Sequence, residues 1–104
     1  MYSIILQDSL NNEVTRVFAA GNENYLPQKN DSVYPYLSEL SDSSFDVFSQ
    51  QDMVGLVEEL KTLKKSVIED DQRKHIAEII NIAIQCLNKP NYKVCFTPFF
   101  QSRG

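Results

Sequence analysis

The residues best able to carry out chemistry are a single histidine, His75, and two cysteines, Cys86 and Cys95. On a helix, Asp71 and Glu78 would lie four residues before and three residues after His75, so the three side chains would share one face. One imidazole with two carboxylates could hold a metal ion, and a thiol beside the imidazole could act as a nucleophile. Ordinary pairing on a helix surface explains the same spacing. We therefore expect a structural histidine and two buried thiols.

Adjacent carboxylates occur in two places, Glu58-Glu59 and Glu69-Asp70-Asp71. Neighbouring residues on a helix point in different directions, so Glu58 and Glu59 do not converge on one substrate. Acids at 69–71 suit the positive end of a helix dipole. The sequence contains no glycine-rich phosphate loop, serine nucleophile elbow or calcium loop. We therefore predict no catalytic residue, no metal and no cofactor.

Charge is distributed unevenly along the chain. Residues 1–60 carry ten acidic and two basic residues, a net charge of −8, whereas residues 61–104 carry eight basic and four acidic residues, a net charge of +4. An acidic half is not expected to bind nucleic acid, because that affinity comes mainly from lysine and arginine displacing counterions. It suits a basic protein partner, although acidity can also serve solubility alone.

The basic residues of the second half include a run that could contact nucleic acid: Lys61, Lys64, Lys65, Arg73 and Lys74. Their spacing is typical of the solvent face of an amphipathic helix. A nucleic-acid surface would also need aromatic residues or a reading helix, and this stretch has neither. We therefore interpret the run as a solvated face and predict no nucleic-acid partner.

Acidic residues and tyrosines occur together in one polar region. They are Tyr25, Asp31, Tyr34, Tyr36, Glu39, Asp42 and Asp46. Tyrosine buries a large area at low entropic cost and keeps a polar tip, so it is a common interface anchor. Carboxylates around such anchors would complement a basic cleft. Alternatively, the tyrosines pack inward and the region is a solvated loop.

The elements that would position these residues begin with strands at 2–7 and 13–19. An Asn- and Asp-rich turn between them predicts an antiparallel hairpin. Residues 20–44 are polar and irregular, with leucines and tyrosines that would pin the loop at intervals and a helical turn at 36–40. A short strand follows at 45–48, which would place Phe45 and Val47 on one face and Asp46 and Phe48 on the other.

Two helices and a last strand complete the chain. The first helix should begin with Ser49 as N-cap and Asp52 completing a capping box. The second should run from residue 70 or 71 to about residue 88, with an apolar face wide enough to be covered on more than one side. Residues 92–99 alternate as a strand, and residues 101–104 should fray.

This element order predicts an α+β fold, an antiparallel sheet of three or four strands packed against a pair of helices. A length of 104 residues is that of one domain, residues 1–104. The first residues lack the basic segment of a signal peptide, and the longest apolar stretch falls short of the roughly 20 residues that span a bilayer. We therefore expect a cytoplasmic protein with no membrane partner.

A further pattern combines the segments Tyr34–Leu40, Phe45–Phe48 and Leu56–Leu60 with Gln51 and the closing strand Tyr92–Phe99. Spread over about residues 34–99, it resembles small bacterial immunity proteins, including those of contact-dependent growth inhibition systems. The resemblance implies a cytoplasmic antidote that binds the toxic C-terminal domain of a specific effector, in a 1:1 complex. Such toxins are commonly nucleases with a basic cleft, and an acidic partner can fill that cleft.

On this hypothesis the chain neutralises a toxin, a ribonuclease in particular, by occluding its active site. The residues expected to bind the toxin are Tyr34, Tyr36, Glu39, Asp42 and Asp46, with Glu58 and Glu59 at the rim. One alternative is a non-catalytic adaptor or homo-oligomeric subunit that pairs through the broad apolar face of the second helix. Another is a small enzyme that uses His75.

Overall fold

The structure, a computed structural model, describes residues 1–99 and contains four strands and two helices within them. The strands are β1 (Ser3–Gln7), β2 (Glu13–Phe18), β3 (Asp46–Ser49) and β4 (Lys93–Thr97), and the helices are α1 (Met53–Ser66) and α2 (Asp70–Leu87). Short 3₁₀ turns lie at Asn22–Asn24, Leu37–Glu39 and Gln50–Asp52. The predicted fraying of residues 101–104 lies outside the described residues.

The four strands form one antiparallel sheet in the order β2-β1-β4-β3. The first and last parts of the chain thus pair at the centre, where Ile4 lies opposite Phe96 and Leu6 opposite Val94. Both helices pack on one face of this sheet, and the predicted α+β architecture is confirmed. The short strand β3 is an edge strand, so the irregular region before it lies at the border of the sheet.

The β1–β2 hairpin has the predicted turn chemistry. Asp8 accepts hydrogen bonds at 2.9 Å from the backbone N–H groups of both Leu10 and Asn12. Asn11 has a φ of 65°, a left-handed conformation that asparagine tolerates better than most residues. The carboxylate therefore closes the turn without help from glycine.

The core lies between the sheet and the helices. Alternate strand residues Ile4, Leu6, Phe48, Val94 and Phe96 are at most 3% exposed. They pack against buried residues of both helices, which include Leu56, Leu60, Ile76, Ile79 and Ala83. The strand period of two and the helical period of three to four therefore direct their apolar residues into the same layer.

The start of the first helix differs slightly from the prediction. Ser49 and Asp52 form the predicted capping box, with the Ser49 backbone N–H donating to Asp52 Oδ2 at 3.0 Å. The first turn, Gln50–Asp52, is a 3₁₀ turn, and the α-helix proper begins at Met53. Gln50 Nε2 also donates to the Leu87 carbonyl at 2.8 Å, which ties this turn to the end of α2.

The long irregular region is packed down at both ends. Asn22 is buried, and its side chain makes paired hydrogen bonds with the backbone of Tyr2, accepting from the N–H at 2.6 Å and donating to the carbonyl at 2.8 Å. Near the other end, the Tyr2 hydroxyl donates to the Ser41 carbonyl at 3.0 Å. Leu26 and Leu37 between these points are fully buried, as the prediction of a pinned loop requires.

The middle of this region is held by a buried carboxylate from α1. Glu59 is only 5% exposed. Its Oε1 accepts hydrogen bonds from the backbone N–H groups of Tyr36 at 3.0 Å and Leu37 at 2.9 Å, and its Oε2 lies 3.0 Å from the Tyr36 nitrogen. These N–H groups begin the Leu37–Glu39 turn and point along its axis, so the carboxylate occupies the place of an N-terminal cap.

No helix within residues 1–99 is both long enough and apolar enough to cross a lipid bilayer.

We predict that Glu59→Gln lowers the free energy of unfolding by roughly 2–3 kcal/mol, because it weakens charge-assisted hydrogen bonds to two buried N–H groups. Its neighbour Glu58 is exposed, so Glu58→Gln should change stability by no more than about 0.5 kcal/mol. Urea unfolding of both variants measures the difference. Equal effects would mean that the carboxylate does not hold the loop.

Candidate functional site

The predicted acidic residues lie on what we call the acidic loop, residues 31–46. Asp31, Glu39 and Asp42 are exposed, and Asp46 is partly buried because its Oδ2 accepts the Ser41 backbone N–H at 3.0 Å. The Asp46 bond fixes the end of the loop against the edge of the sheet. Three carboxylates are thus presented to solvent from a segment whose backbone is held at several points.

Two of these acids surround the hydroxyl of Tyr2. Burial raises the pKa of Tyr2, and the negative charges of Asp42, Asp46 and Glu23 raise it further. Glu23 and Asp42 line, with Tyr2, a shallow depression of about 420 Å³ at the surface. The acids at the two ends of the irregular region therefore share one surface, although they are 19 positions apart in the sequence.

A second acidic group surrounds Tyr36. Burial raises the pKa of this phenol, and the charges of Asp52, Glu59 and Glu39 add to the rise. The Tyr36 ring packs edge-on against Phe48, with ring centroids 5.8 Å apart. Tyr36 is half-buried, so one part of the ring supports the loop while another remains accessible.

In the part of the chain that the structure describes, the carboxylates of the acidic loop form no ion pair. Within residues 1–99, ion pairs join Arg16 to Glu13 and the N-terminal amine to Glu23, and Glu78 Oε1 lies 3.3 Å from the His75 ring. Asp31, Glu39, Asp42 and Asp46 take part in none of them. A negative potential therefore extends from this surface into solvent.

Three of the predicted contact residues are not placed as expected. Tyr34 is only 9% exposed and belongs to the core, so its ring faces inward as in the alternative interpretation. Glu59 is committed to the loop backbone and is not a rim residue. Glu58 is exposed, but it lines a groove between α1 and α2 together with Lys61. The side chains of Tyr34 and Glu59 are too deeply buried to reach a partner.

Other surface residues were missed by the sequence analysis. Phe45, near the end of the acidic loop, is 60% exposed, and Val47, on the edge strand that follows, is 46% exposed. The strand alternation predicted from the sequence places Phe45 and Val47 on the face opposite Phe48. Because Phe48 is buried in the core, that opposite face is exposed to solvent. Two apolar side chains therefore adjoin the carboxylates and can supply contact area that Tyr34 does not.

The single histidine is buried, at 2% exposure, and its hydrogen bonds define its tautomer. The bonds of Asn22 to the Tyr2 backbone orient its amide so that Nδ2 donates, and Nδ2 lies 3.1 Å from His75 Nε2. Nε2 must therefore accept, and the proton of the neutral ring is on Nδ1, 3.3 Å from Glu78 Oε1. His75 thus supports the Asn22 anchor.

The two thiols are also buried. Burial raises the pKa of Cys86 to about 11 and raises that of Cys95 as well. A nucleophilic cysteine needs the opposite shift, because the thiolate is the reactive form. In the described part of the chain, no group of three or more His, Cys, Asp or Glu residues is arranged to hold a metal ion.

The broad apolar face of α2 is covered within the chain. Ile76, Ile79, Ile82, Ala83 and Cys86 are at most 2% exposed, because α1 lies on one side of the helix and the sheet on another. Ile84 is 40% exposed, whereas Ala77 and Ile80 are half-buried at the groove between the helices. The width of the stripe therefore reflects packing on two sides, as predicted.

We predict that Gly55→Ala destabilises the protein, although alanine normally stabilises a helix by about 0.5–1 kcal/mol relative to glycine. A Cβ atom at position 55 would lie 2.5 Å from Tyr36 Cε2, so the ring or the helix must move. We expect a loss of roughly 1–2 kcal/mol in urea unfolding. In a Tyr36→Leu background the same substitution should become neutral or stabilising, and a loss of equal size there would contradict the contact.

A second prediction concerns pH. Burial lowers the pKa of His75 below its ordinary value of 6.5, and the opposing effect of Glu78 is smaller. The unfolded chain therefore takes up a proton first as the pH falls below 6.5. The free energy of unfolding should fall in that range and level off once the folded protein is protonated too.

His75→Gln should remove this component of the pH dependence, because glutamine can still accept from Asn22 but does not titrate. Glu78→Gln should instead steepen it, because the one group that favours the charged imidazole is lost. Urea unfolding between about pH 5 and pH 8 covers the titration range of histidine. A wild-type profile that His75→Gln leaves unchanged would show that His75 does not titrate differently in the folded protein.

The geometry thus presents uncompensated carboxylates and neighbouring apolar side chains on a loop whose backbone is anchored from beneath. Such a surface is complementary to a cationic partner, whereas the His75 imidazole and both thiols are buried. No protein-family model, curated protein or solved structure that we compared matches this chain.

Proposed function

We propose that this chain is an immunity protein, which binds the toxic domain of a cognate bacterial effector and occludes its active site. The partner is a basic domain, in particular a ribonuclease, and the complex forms 1:1 in the cytoplasm of the producing cell. The observation that carries the proposal is the set of carboxylates on the acidic loop, which form no ion pair within residues 1–99. The resemblance of residues 34–99 to small immunity proteins points to the same class of partner.

The chemistry of the partner follows from the charge of the loop. A ribonuclease cleft holds lysine and arginine side chains that bind the phosphates of its substrate. Carboxylates at Glu39, Asp42 and Asp46 can take the place of those phosphates, and the negative potential would accelerate the encounter. The chain then competes with RNA for the same cleft.

Preorganisation supports tight binding by this surface. Ordering a flexible loop on binding costs free energy for each side chain and backbone unit that is immobilised. Here the backbone bonds of Glu59 and Asp46 and the Tyr2–Ser41 bond hold the loop before the partner arrives. Less of the interaction energy is therefore lost to ordering.

The proposed contact set is revised from the sequence-based one. It keeps Tyr36, Glu39, Asp42 and Asp46 and adds Asp31 and Phe45, which are exposed on the same loop. Tyr34 and Glu59 are left out because they are buried, and Glu58 because it faces the groove between the helices. In this arrangement Phe45 is the apolar anchor and the carboxylates surround it.

The test uses the C-terminal domain of the protein encoded in the adjacent upstream reading frame. We expect the purified chain to bind this domain and to suppress its cleavage of RNA at equimolar concentration. Glu39→Gln with Asp42→Asn should weaken binding by about tenfold or more, mainly through slower association. Surface plasmon resonance at low and high salt measures both rate constants.

The matched control is Asp70→Asn with Asp71→Asn, which removes the same charge from two exposed acids at the start of α2. It should leave the affinity within about twofold, which corresponds to less than 0.5 kcal/mol. A domain that remains fully active in molar excess of the chain would contradict the proposal. Equal losses in both double variants would show that net charge, rather than the acidic loop, determines binding.

A further inference from the structure

A groove of about 700 Å³ runs between the outer faces of α1 and α2. We call it the basic groove, because its walls carry Lys61, Lys64, Lys65 and Arg73, and its floor includes Ala77 and Ile80. From the sequence alone, these four basic residues, together with Lys74, were expected to form a solvated helix face. In the folded chain they come from two helices and converge on one concavity.

The convergence follows from helical spacing and from a short connection. Positions 61, 64 and 65 are three and four residues apart and share one face of α1. Three residues, 67–69, link the helices, so α2 must return alongside α1. The Arg73 guanidinium is positioned by a hydrogen bond from its Nε to the Val67 carbonyl at 3.0 Å.

These cations have no anionic partner in the described part of the chain. The ion pairs within residues 1–99 involve none of Lys61, Lys64, Lys65 and Arg73. Glu58 is the acidic residue that lines the groove, and it is exposed on the α1 side. On a protein with a net charge of −4, four like charges gathered around one concavity form a local positive field.

The lining indicates what kind of anion fits. Ala77 and Ile80 are half-buried and form an apolar strip, and the methylene stems of the lysines extend it. An apolar strip between cationic walls complements an amphipathic helix whose apolar face is bordered by carboxylates. Single-stranded nucleic acid fits less well, because the lining residues offer no aromatic ring for base stacking and the acidic remainder of the chain repels phosphates.

We propose that the basic groove binds an acidic amphipathic helix of a partner protein. This surface is separate from the acidic loop, so it goes beyond the proposed neutralisation of a toxin and does not depend on it. A chain with both surfaces would engage two partners of opposite charge, or two oppositely charged parts of one partner.

The probe is a fluorescein-labelled peptide of about 16 residues, or about four helical turns, with leucine on one face and glutamate along both borders. Fluorescence anisotropy should detect its binding to the full chain, weakening as salt is added. Lys61→Glu with Lys65→Glu should reduce the affinity by about tenfold or more. Both lysines are exposed, so folding should be preserved. Lys61→Gln with Lys65→Gln provides a milder version if the reversal disturbs α1.

The control variant is Lys29→Glu with Lys89→Glu, which makes the same change in net charge at two exposed lysines outside the groove. It should bind the probe within about twofold of wild type. A scrambled peptide of equal charge and a labelled oligothymidylate serve as competing ligands, and both should bind more weakly than the amphipathic probe.

Each contrary result overturns the proposal. Failure of the amphipathic peptide to bind, or equal losses in the groove and control variants, would remove the evidence for an acidic helix. Tighter binding of the oligothymidylate would assign the groove to phosphate. Self-association in sedimentation that the groove variant abolishes would assign it to the acidic loop of a second copy. A toxin-binding experiment can succeed or fail independently of all of these.

Discussion

The hydrogen bonds of the Glu59 carboxylate are the interaction on which the position of the acidic loop depends. This carboxylate extends from α1 into the interior of the protein, where it accepts hydrogen bonds from the backbone N–H groups of Tyr36 and Leu37. Without it, the N–H groups of Tyr36 and Leu37, which begin the Leu37–Glu39 turn, would lose their carboxylate acceptor. A residue that adds to the negative charge of the sequence therefore acts as an internal cap, and the outward charges of the loop depend on this inward one.

The acidic first part of the sequence and the basic second part form separate surfaces in the fold. The acidic loop borders the edge strand β3, whereas the basic groove lies on the outer side of the helix pair. The uneven net charge of the two halves already indicated this polarity. The positions of the helices in the sequence do not by themselves predict that four cations converge. Arg73 meets the lysines of α1 only because the chain reverses direction at residues 67–69.

Periodicity and turn chemistry were sufficient to predict the fold class, although not the order of the strands in the sheet. The hairpin, the capping box at Ser49, both helices and the last strand each follow from local residues, and local signals agree with the global structure. The site was less predictable. Tyr34 and Glu59 were expected on the surface because tyrosine and glutamate usually retain contact with solvent. Glu59 is buried because its hydrogen-bond partners lie 22 or more positions away in the sequence, and Tyr34 is buried by packing in the hydrophobic core. Charge pattern alone does not reveal such partners.

The two anchors of the long irregular region, Glu59 and Asn22, share one property. Glu59 binds the backbone at positions 36 and 37, and Asn22 binds the backbone at position 2. Neither anchor therefore depends on the side chain of the residue that it binds. Exposed positions such as 31, 39, 42 and 45 can therefore be exchanged while the frame that carries them stays the same. Substitutions at these positions can change the charge of the surface while the course of the backbone stays the same.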